Sequence, residues 1–211
     1  MRSIPLATLL SILAIARSPA GEPPAGGKPP AAAKEPVTLF DGKTLKGWKV
    51  IGCEAVVQDG TILLKGGNGV VRTERPYRDY VFECEWKALK PDDWDSGIYF
   101  RCTDPPADKS YPWPKVYQAN LRKGDEGNVE ELKEARSKGL TKPHEWNKFR
   151  LTVTGTKAAL EINGKPAWKA DGLKAPEGFI ALQAEIPGGG QFQFRNIRIL
   201  ELPSEKPGAK G

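Results

Sequence analysis

The stretch Val81–Lys87 reads V-F-E-C-E-W-K, and its alternation of apolar and charged side chains decides the fold. Successive side chains of a β-strand point to opposite faces, so Glu83 and Glu85 fall on one face and the apolar side chains on the other. This alternation is typical of an antiparallel strand with one face against a core and one face in water.

Three further segments repeat this pattern. They read G-I-Y-F-R-C at Gly97–Cys102, Y-Q-A-N-L at Tyr117–Leu121 and I-A-L-Q-A-E at Ile180–Glu185. If the four strands share one sheet, one face is core and the other carries carboxylates, amides and a guanidinium. Such groups bind polyhydroxylated ligands such as sugars, and an ordinary solvated sheet face is the alternative. The polar side chains concerned are Glu85, Tyr99, Arg101, Gln118, Asn120, Gln183 and Glu185.

Short apolar stretches separated by turn signals fill the rest of the chain. Asp59-Gly60 and Asn163-Gly164 predict two-residue hairpins. Gly66–Gly69 reads as a break between strands, and Val129–Lys138 predicts a short helix. Many short strands with connections too short for helical crossovers favour an all-β fold, an antiparallel β-sandwich or jelly roll.

The first 20 residues predict a secretory signal peptide. A basic start at Met1-Arg2 precedes the apolar stretch Ile4–Ala16, and small residues at 18–20 would allow cleavage after Ala20. The apolar stretch is too short for a comfortable membrane span. We therefore expect an exported protein, periplasmic or extracellular, with no membrane attachment after cleavage.

The remaining ends of the chain read as unstructured. Residues 21–35 form a linker rich in Pro, Gly and Ala, and residues 203–211 form a disordered tail. A single domain is therefore predicted over residues 36–202, which is long enough to bury a substantial core.

Charge argues against a nucleic-acid partner. The formal net charge is +6, of which Arg2 and Arg17 contribute two, so that the chain after cleavage carries +4. The charges are interspersed rather than gathered in a basic stripe, so we expect no nucleic-acid binding.

Three cysteines, at positions 53, 84 and 102, occur in this chain. Cys84 and Cys102 both lie on apolar faces of strands that could be neighbours. A disulfide and two buried thiols are both open, and the thiols are favoured. The chain has no Cys-x-x-Cys pair, so a structural zinc site is not predicted.

A series of motifs resembles those of a known family. The series is F-D-G-K-T-L-K-G-W at Phe40–Trp48, D-Y-V-F and E-W-K within Asp79–Lys87, S-G-I-Y-F-R at Ser96–Arg101, Tyr117-Gln118, Glu145-Trp146-Asn147, Asn163-Gly164, Leu182-Gln183 with Glu185, and Phe194–Ile199. In this order they resemble the 3-keto-disaccharide hydrolase domain, over about Pro36–Leu202. The resemblance implies a concanavalin-A-like, LamG-type jelly-roll β-sandwich of antiparallel sheets, with a concave face that binds carbohydrate.

The resemblance also implies a reaction: cleavage of the glycosidic bond of 3-keto-disaccharides or other 3-keto-glycosides. A ketone at C3 acidifies the proton at C2, a base removes this proton, the leaving group at C1 departs from the enolate, and water adds back. One general base and an enolate stabiliser are required. Glu85 and Glu185 are predicted as base and acid, and Arg101 is predicted to hold the C3 oxygen by charge-assisted hydrogen bonds.

The other predicted site residues bind substrate. Gln118, Asn120 and Gln183 are predicted to bind hydroxyl groups of the sugar. Tyr99, Tyr111 and Trp113 are predicted to form a wall on which the sugar ring stacks. No metal ligand is assigned; no cofactor is predicted firmly, and a divalent cation stays an open alternative. An ion pair of Arg101 with Glu85 or Glu185 that only closes the sheet face is the structural alternative for these charged residues.

Two other functions stay open. A non-catalytic carbohydrate-binding module needs the same polar face without a tuned carboxylate, and Val116, where many family members have Glu, favours it. An extracellular interaction or adhesion domain would instead show an exposed apolar patch. For the hydrolase and for the binding module, the expected partner is a small-molecule carbohydrate, an oxidised disaccharide or glycoside.

Overall fold

The computed structural model describes residues 35–106 and 111–203. The chain divides into two units, Met1–Ala33 and Lys34–Gly211. The predicted signal peptide, most of the predicted linker and nearly all of the predicted tail lie outside the described residues.

Eleven antiparallel strands form the described part of the chain. They are β1 (Val37–Thr38), β2 (Trp48–Gln58), β3 (Thr61–Thr73), β4 (Tyr80–Ala88), β5 (Gly97–Cys102), β6 (Gln118–Asn120), β7 (Asn147–Thr154), β8 (Lys157–Ile162), β9 (Lys165–Asp171), β10 (Phe179–Ile186) and β11 (Phe192–Glu201). The two predicted hairpins join β2 to β3 and β8 to β9.

The strands form one curled sheet in the order β6-β5-β10-β3-β11-β4-β7-β8-β9, with β1 beside β11 and β2 beside β3. Strand β3 makes the curl, because Ile62–Leu64 pair with β11 whereas Gly67–Arg72 pair with β10. One long strand thereby serves both halves of the sheet. Gly66–Gly69 continue this strand, so the predicted break there is wrong.

The two faces of β5 and β10 pack in different hydrophobic clusters. Ile98 and Phe100 belong to a main buried cluster that also contains the apolar face of β4, at Phe82, Cys84 and Trp86. A second, smaller cluster lies on the opposite face and consists of Val70, Tyr99, Cys102 and Ala181, with Ile51, Trp113 and Phe179 packed against it. We call the face of β6, β5 and β10 that carries this second cluster the outer face.

Turns replace the predicted helix at Val129–Lys138, and the described residues contain no helix. Val129, Leu132 and Ala135 are buried at a spacing of three, which imitates one face of a helix. Their carbonyls instead accept hydrogen bonds from Nη1 of Arg136, at 2.5, 3.0 and 2.9 Å. Within the described ranges no helix is long and apolar enough to cross a membrane.

All three cysteines are free thiols. Cys84 belongs to the main cluster and Cys102 to the second cluster, and β4 and β5 are not neighbours in the sheet. Burial raises the pKa of the Cys102 thiol to about 12 and raises that of Cys84 as well. The structure therefore has two buried, protonated thiols rather than a disulfide.

Candidate functional site

A polar pocket of about 290 Å³ lies on the outer face of β6, β5 and β10. The segments 111–115 and 128–131 form its remaining walls. Its lining residues are Asp95, Tyr99, Tyr111, Trp113, Pro114, Lys115, Gln118, Asn120, Asn128, Glu130, Glu131, Gln183 and Glu185. All six predicted substrate-binding residues and one predicted catalytic residue, Glu185, are among them.

Strand register brings the central polar side chains together. Tyr99 on β5 lies opposite Gln118 on β6 and opposite Ala181 on β10. Gln183 and Glu185 follow Ala181 at intervals of two, so they share its face. The alternation predicted from sequence therefore holds for Tyr99, Gln118, Gln183 and Glu185.

A chain of side-chain amides runs across the floor of the pocket. Nε2 of Gln118 donates a hydrogen bond to Oε1 of Gln183. Nε2 of Gln183 then donates to Oε2 of Glu185 at 3.1 Å. The Glu185 carboxylate is thus held by Gln183 of its own strand, and Gln183 is held in turn by Gln118 of β6.

Asp95 lines the pocket but was not among the predicted site residues. Its backbone N–H donates to the carbonyl of Gly189 at 2.9 Å, which ties the segment before β5 to the turn after β10. The alternation of β5 could have found it, because Tyr99, Gly97 and Asp95 are spaced by two and therefore share a face.

The pocket raises the pKa of both Asp95 and Glu185. Burial is the larger cause for Asp95, and the negative charge of Glu185 adds to it, so its pKa rises from the ordinary value of 3.8 to about 6. Burial also raises the pKa of Glu185, against the opposing positive charge of Arg122. The negative charge of Glu185 thus favours the protonated form of Asp95.

An aromatic wall closes one side of the pocket. Nε1 of Trp113 donates to the carbonyl of Ala184 at 2.9 Å, which fixes the ring against β10. The ring of Tyr111 meets that of Trp113 edge-on, with centroids 5.3 Å apart, and 43% of Tyr111 is exposed. Tyr99 is buried beneath them, and its burial raises the pKa of its hydroxyl. A sugar ring could stack against the exposed part of this wall.

Acidic groups dominate the charge of the pocket. Among the described residues, four carboxylates line it, from Asp95, Glu130, Glu131 and Glu185, against one ammonium group, from Lys115. The lining residues between 114 and 131 outside β6 had no sequence signal, because that stretch is polar and has no period. In the described part of the chain, no group of three or more His, Cys, Asp or Glu side chains is arranged to hold a metal ion.

Glu85 lies away from this pocket. Strand β4 is separated from β10 by β3 and β11, so the assumption that these polar residues share one sheet face is wrong for Glu85. Its carboxylate accepts a hydrogen bond from Nε of Arg195 at 2.7 Å. Burial opposes its ionisation, but hydrogen bonds from Arg195 and Asn196 outweigh burial and hold its pKa below the ordinary value. Glu85 is the acidic half of an ion pair on the opposite half of the sheet.

Arg101 also lies away from the pocket, because a β-bulge interrupts the alternation of β5. The register passes from Ala181↔Tyr99 to Phe179↔Cys102, so that two residues of β5 oppose one of β10. Arg101 has a φ of 49°. This extra residue moves Cys102 to the face of Tyr99 and turns the Arg101 side chain away from it.

The Arg101 guanidinium is engaged in structural contacts within the protein. The residue is only 2% exposed, and Nη2 donates to Oδ1 of Asp79 at 2.9 Å. Its other N–H groups donate to the carbonyls of Arg78, Gly155 and Ala175. Arg101 therefore fastens three loops rather than lining the pocket, and its ion-pair partner is neither Glu85 nor Glu185.

Comparison with known proteins supplies the family. A family described as a 3-keto-alpha-glucoside-1,2-lyase-like domain matches residues 35–200. No curated protein matches the sequence.

Solved structures supply the fold. A proposed glycosyl hydrolase from Parabacteroides distasonis ATCC 8503, solved at 1.70 Å, superposes with a TM-score of 0.64 at 19% identity, covering 80% of this chain and 94% of that one. The carbohydrate binding module CBM66 from Bacillus subtilis gives a TM-score of 0.58 at 14% identity, covering 74% and 96%. A Bacillus subtilis protein of unknown function with a galectin-like fold gives 0.58 at 11% identity, covering 83% and 98%.

These superpositions confirm the predicted antiparallel jelly roll, and the family match covers most of the chain. The chain belongs to the family of 3-keto-alpha-glucoside-1,2-lyase-like domains.

Proposed function

We propose that this chain cleaves the glycosidic bond of glycosides whose sugar carries a ketone at C3, in the pocket on β6, β5 and β10. The family and its neighbours support a carbohydrate-active jelly roll of the glycosyl-hydrolase-like or carbohydrate-binding kind. One observation carries the catalytic proposal: Asp95 and Glu185, both with a raised pKa, lie in the same polar pocket. Titratable groups perturbed together in a cleft are typical of active sites.

Glu185 is the general base of this proposal, and Asp95 is the general acid. Glu185 takes the proton from C2, and the electron pair of that C–H bond moves into the enolate of the C3 ketone. The C1–O bond then breaks, and Asp95 gives its proton to the departing oxygen. Water adds across C1 and C2, with its hydroxyl on C1 and its proton on C2. A carboxyl group with a pKa near 6 suits proton donation near neutral pH.

The remaining lining residues bind and stabilise. Lys115 supplies the positive charge that the enolate needs, the role that the sequence assigned to Arg101. Oδ1 of Asn120 accepts from the backbone N–H of Arg122 at 2.6 Å, so its Nδ2 is the group that donates to a sugar hydroxyl. Tyr111 and Trp113 supply the stacking wall.

A non-catalytic carbohydrate-binding module is the second candidate. The half-exposed Tyr111 beside Trp113 favours it, because an aromatic edge next to amides binds sugars without chemistry. The adhesion alternative lacks such support. The exposed large apolar residues of the described ranges lie on separate segments of the chain, at Val37, Val50, Leu89 and Tyr111.

We also propose that the chain is exported. The basic start, the apolar stretch and the small residues before position 21 support this proposal.

The test is turnover of 3-keto-trehalose and 3-keto-sucrose by residues 21–211 in deuterated buffer, with and without EDTA. We expect release of the leaving sugar and deuterium at C2 of the 3-keto product, because C2 loses its proton and regains one from solvent. Saturable binding without turnover would make the chain a binding module. Turnover without deuterium at C2 would overturn the elimination mechanism.

A further inference from the structure

Three adjacent strands join to hold one carboxylate of the pocket. Gln118 lies on β6 and Gln183 on β10, and β5 runs between them. Their amides nevertheless meet, although two strand spacings amount to about 9.5 Å. The Gln118 side chain must therefore lie flat across β5 instead of projecting outward from the sheet.

Gly97 makes this crossing possible. It lies opposite Asn120 on β5, two residues before Tyr99, which is paired with Gln118. A Cβ built on Gly97 would lie 2.0 Å from Nε2 of Gln118 and 2.6 Å from Cδ. No atom can stand there while Gln118 bridges. Gly97 does not have a positive φ, so the backbone itself does not require glycine at this position.

The bridge also has a direction. The oxygen of Gln183 faces Gln118, so its NH₂ group must face Glu185. Reversing both amides would place the Gln183 oxygen against the Glu185 oxygen. An ionised carboxylate only accepts hydrogen bonds, so that reversed arrangement would be repulsive. The direction Gln118 to Gln183 to Glu185 is the one that suits an ionised Glu185.

We propose that Gln118 and Gln183 are positioning residues that hold Glu185 ionised and oriented in the pocket, and that Gly97 is the position that permits their bridge. The bridge ends on Glu185 and makes no hydrogen bond to Asp95, so it favours the ionised form of Glu185 alone. This inference rests on the proposed function, to which it adds the device that distinguishes base from acid.

The test measures the pKa of the Glu185 carboxyl directly, by carbon NMR of the labelled carboxyl group. The variants are Gln183→Met and Gln118→Met, which keep approximate size but remove the amides, and Gly97→Ala. Matched controls are Gln58→Met, an exposed glutamine on β2, and Gly66→Ala, a strand glycine whose added Cβ would make only ordinary contacts, the nearest at 3.6 Å. Thermal unfolding of each variant verifies that it folds.

We expect the pKa of Glu185 to rise by about one pH unit in Gln183→Met, since a hydrogen bond to the charged form is lost. Smaller rises are expected in Gln118→Met and in Gly97→Ala, where Gln183 remains but loses its fixed orientation. The acidic limb of the kcat/KM profile should move to higher pH by the same amount. A residue with a merely structural role would lower activity equally at every pH.

Two outcomes would overturn the inference. Gln183→Met with an unchanged Glu185 pKa would remove the bridge from any role in ionisation. If the Glu185 pKa in both Gln118→Met and Gly97→Ala equals that in the controls, only Gln183 acts on Glu185. That result would contradict the three-strand bridge. The NMR titration does not need turnover, so an inactive wild-type chain would refute the proposed function and still test the bridge.

Discussion

At the residue scale, the Asp95 carboxyl is the group on which the proposed chemistry depends most. We expect Asp95→Asn to lower kcat/KM by about 100-fold or more, because an amide cannot protonate the leaving oxygen. The limb of the pH–rate profile near pH 6 should disappear with it. The control is Asp92→Asn, which changes an exposed carboxylate of the same loop that pairs with Lys123. Equal effects of the two variants would contradict the assignment.

The raised pKa of Asp95 also predicts a pH dependence of stability. Its folded-state pKa, about 6, lies above the ordinary 3.8. The folded state therefore binds this proton more tightly than the unfolded state does. The resulting stability is fully present below about pH 4 and is lost as the pH rises through about 6. The free energy of unfolding of Asp95→Asn, measured in urea, should therefore rise relative to that of wild type between pH 4 and pH 8. The expected rise is about 1 kcal/mol after allowance for solvent screening. A constant difference between the two proteins would contradict the raised pKa.

At the element scale, strand alternation predicted one part of the site and failed in another, for separate reasons. It placed Tyr99, Gln118 and Gln183 correctly, because side-chain period is a local property of a regular strand. It failed at Arg101, because the bulge depends on how β5 pairs with β10 and is not predictable from the local sequence. Strand β5 shows both results, at Tyr99 and at Arg101.

The failure at Glu85 has a different origin. Its own strand alternates as predicted, with Cys84 and Trp86 buried in the main cluster. Which strands become neighbours is decided by the course of the whole chain, and it places β4 beyond β3 and β11. Composition and periodicity contain no information on strand order. The sequence therefore predicted the polar face of each strand but not which of these faces lie side by side.

The bulge in β5 predicts a structural role for Arg101. Arg101→Met should lower the free energy of unfolding by about 3–5 kcal/mol, because it leaves the buried Asp79 carboxylate without its partner. Turnover per folded molecule should stay close to wild type, since the guanidinium does not line the pocket. Urea unfolding and active-site titration give the two quantities. A stable but inactive Arg101→Met would restore the catalytic role that the sequence suggested.

At the scale of the whole molecule, the jelly roll itself was predictable. Frequent turn signals, such as Asp59-Gly60 and Asn163-Gly164, predicted many short antiparallel strands, and the structure has them. The walls of the pocket outside the strands were not, because segments 111–115 and 128–131 take their shape from the sheet on which they pack. Glu130 and Glu131 illustrate this, since nothing in their local sequence distinguishes them from solvated charges.

The separation of the two clusters predicts the redox behaviour of the chain. Cys84 and Cys102 lie in different clusters and on strands that are not neighbours, so they cannot join without rearrangement of the sheet. We expect three titratable thiols per chain after denaturation under air, and the same melting temperature with and without reductant. Loss of two thiols together with a lower melting temperature in reductant would contradict this arrangement.

The central claim is that carbohydrate chemistry occurs in the pocket on β6, β5 and β10, and one matched pair of variants tests it most directly. The measurement is kcat/KM on 3-keto-trehalose for Glu185→Gln and Glu85→Gln beside wild type. We predict a loss of about 100-fold or more in Glu185→Gln, which removes the base from the pocket, and a change within about threefold in Glu85→Gln, which only alters an ion pair with Arg195. A large loss in Glu85→Gln with an active Glu185→Gln would contradict the account and move the chemistry to the opposite half of the sheet.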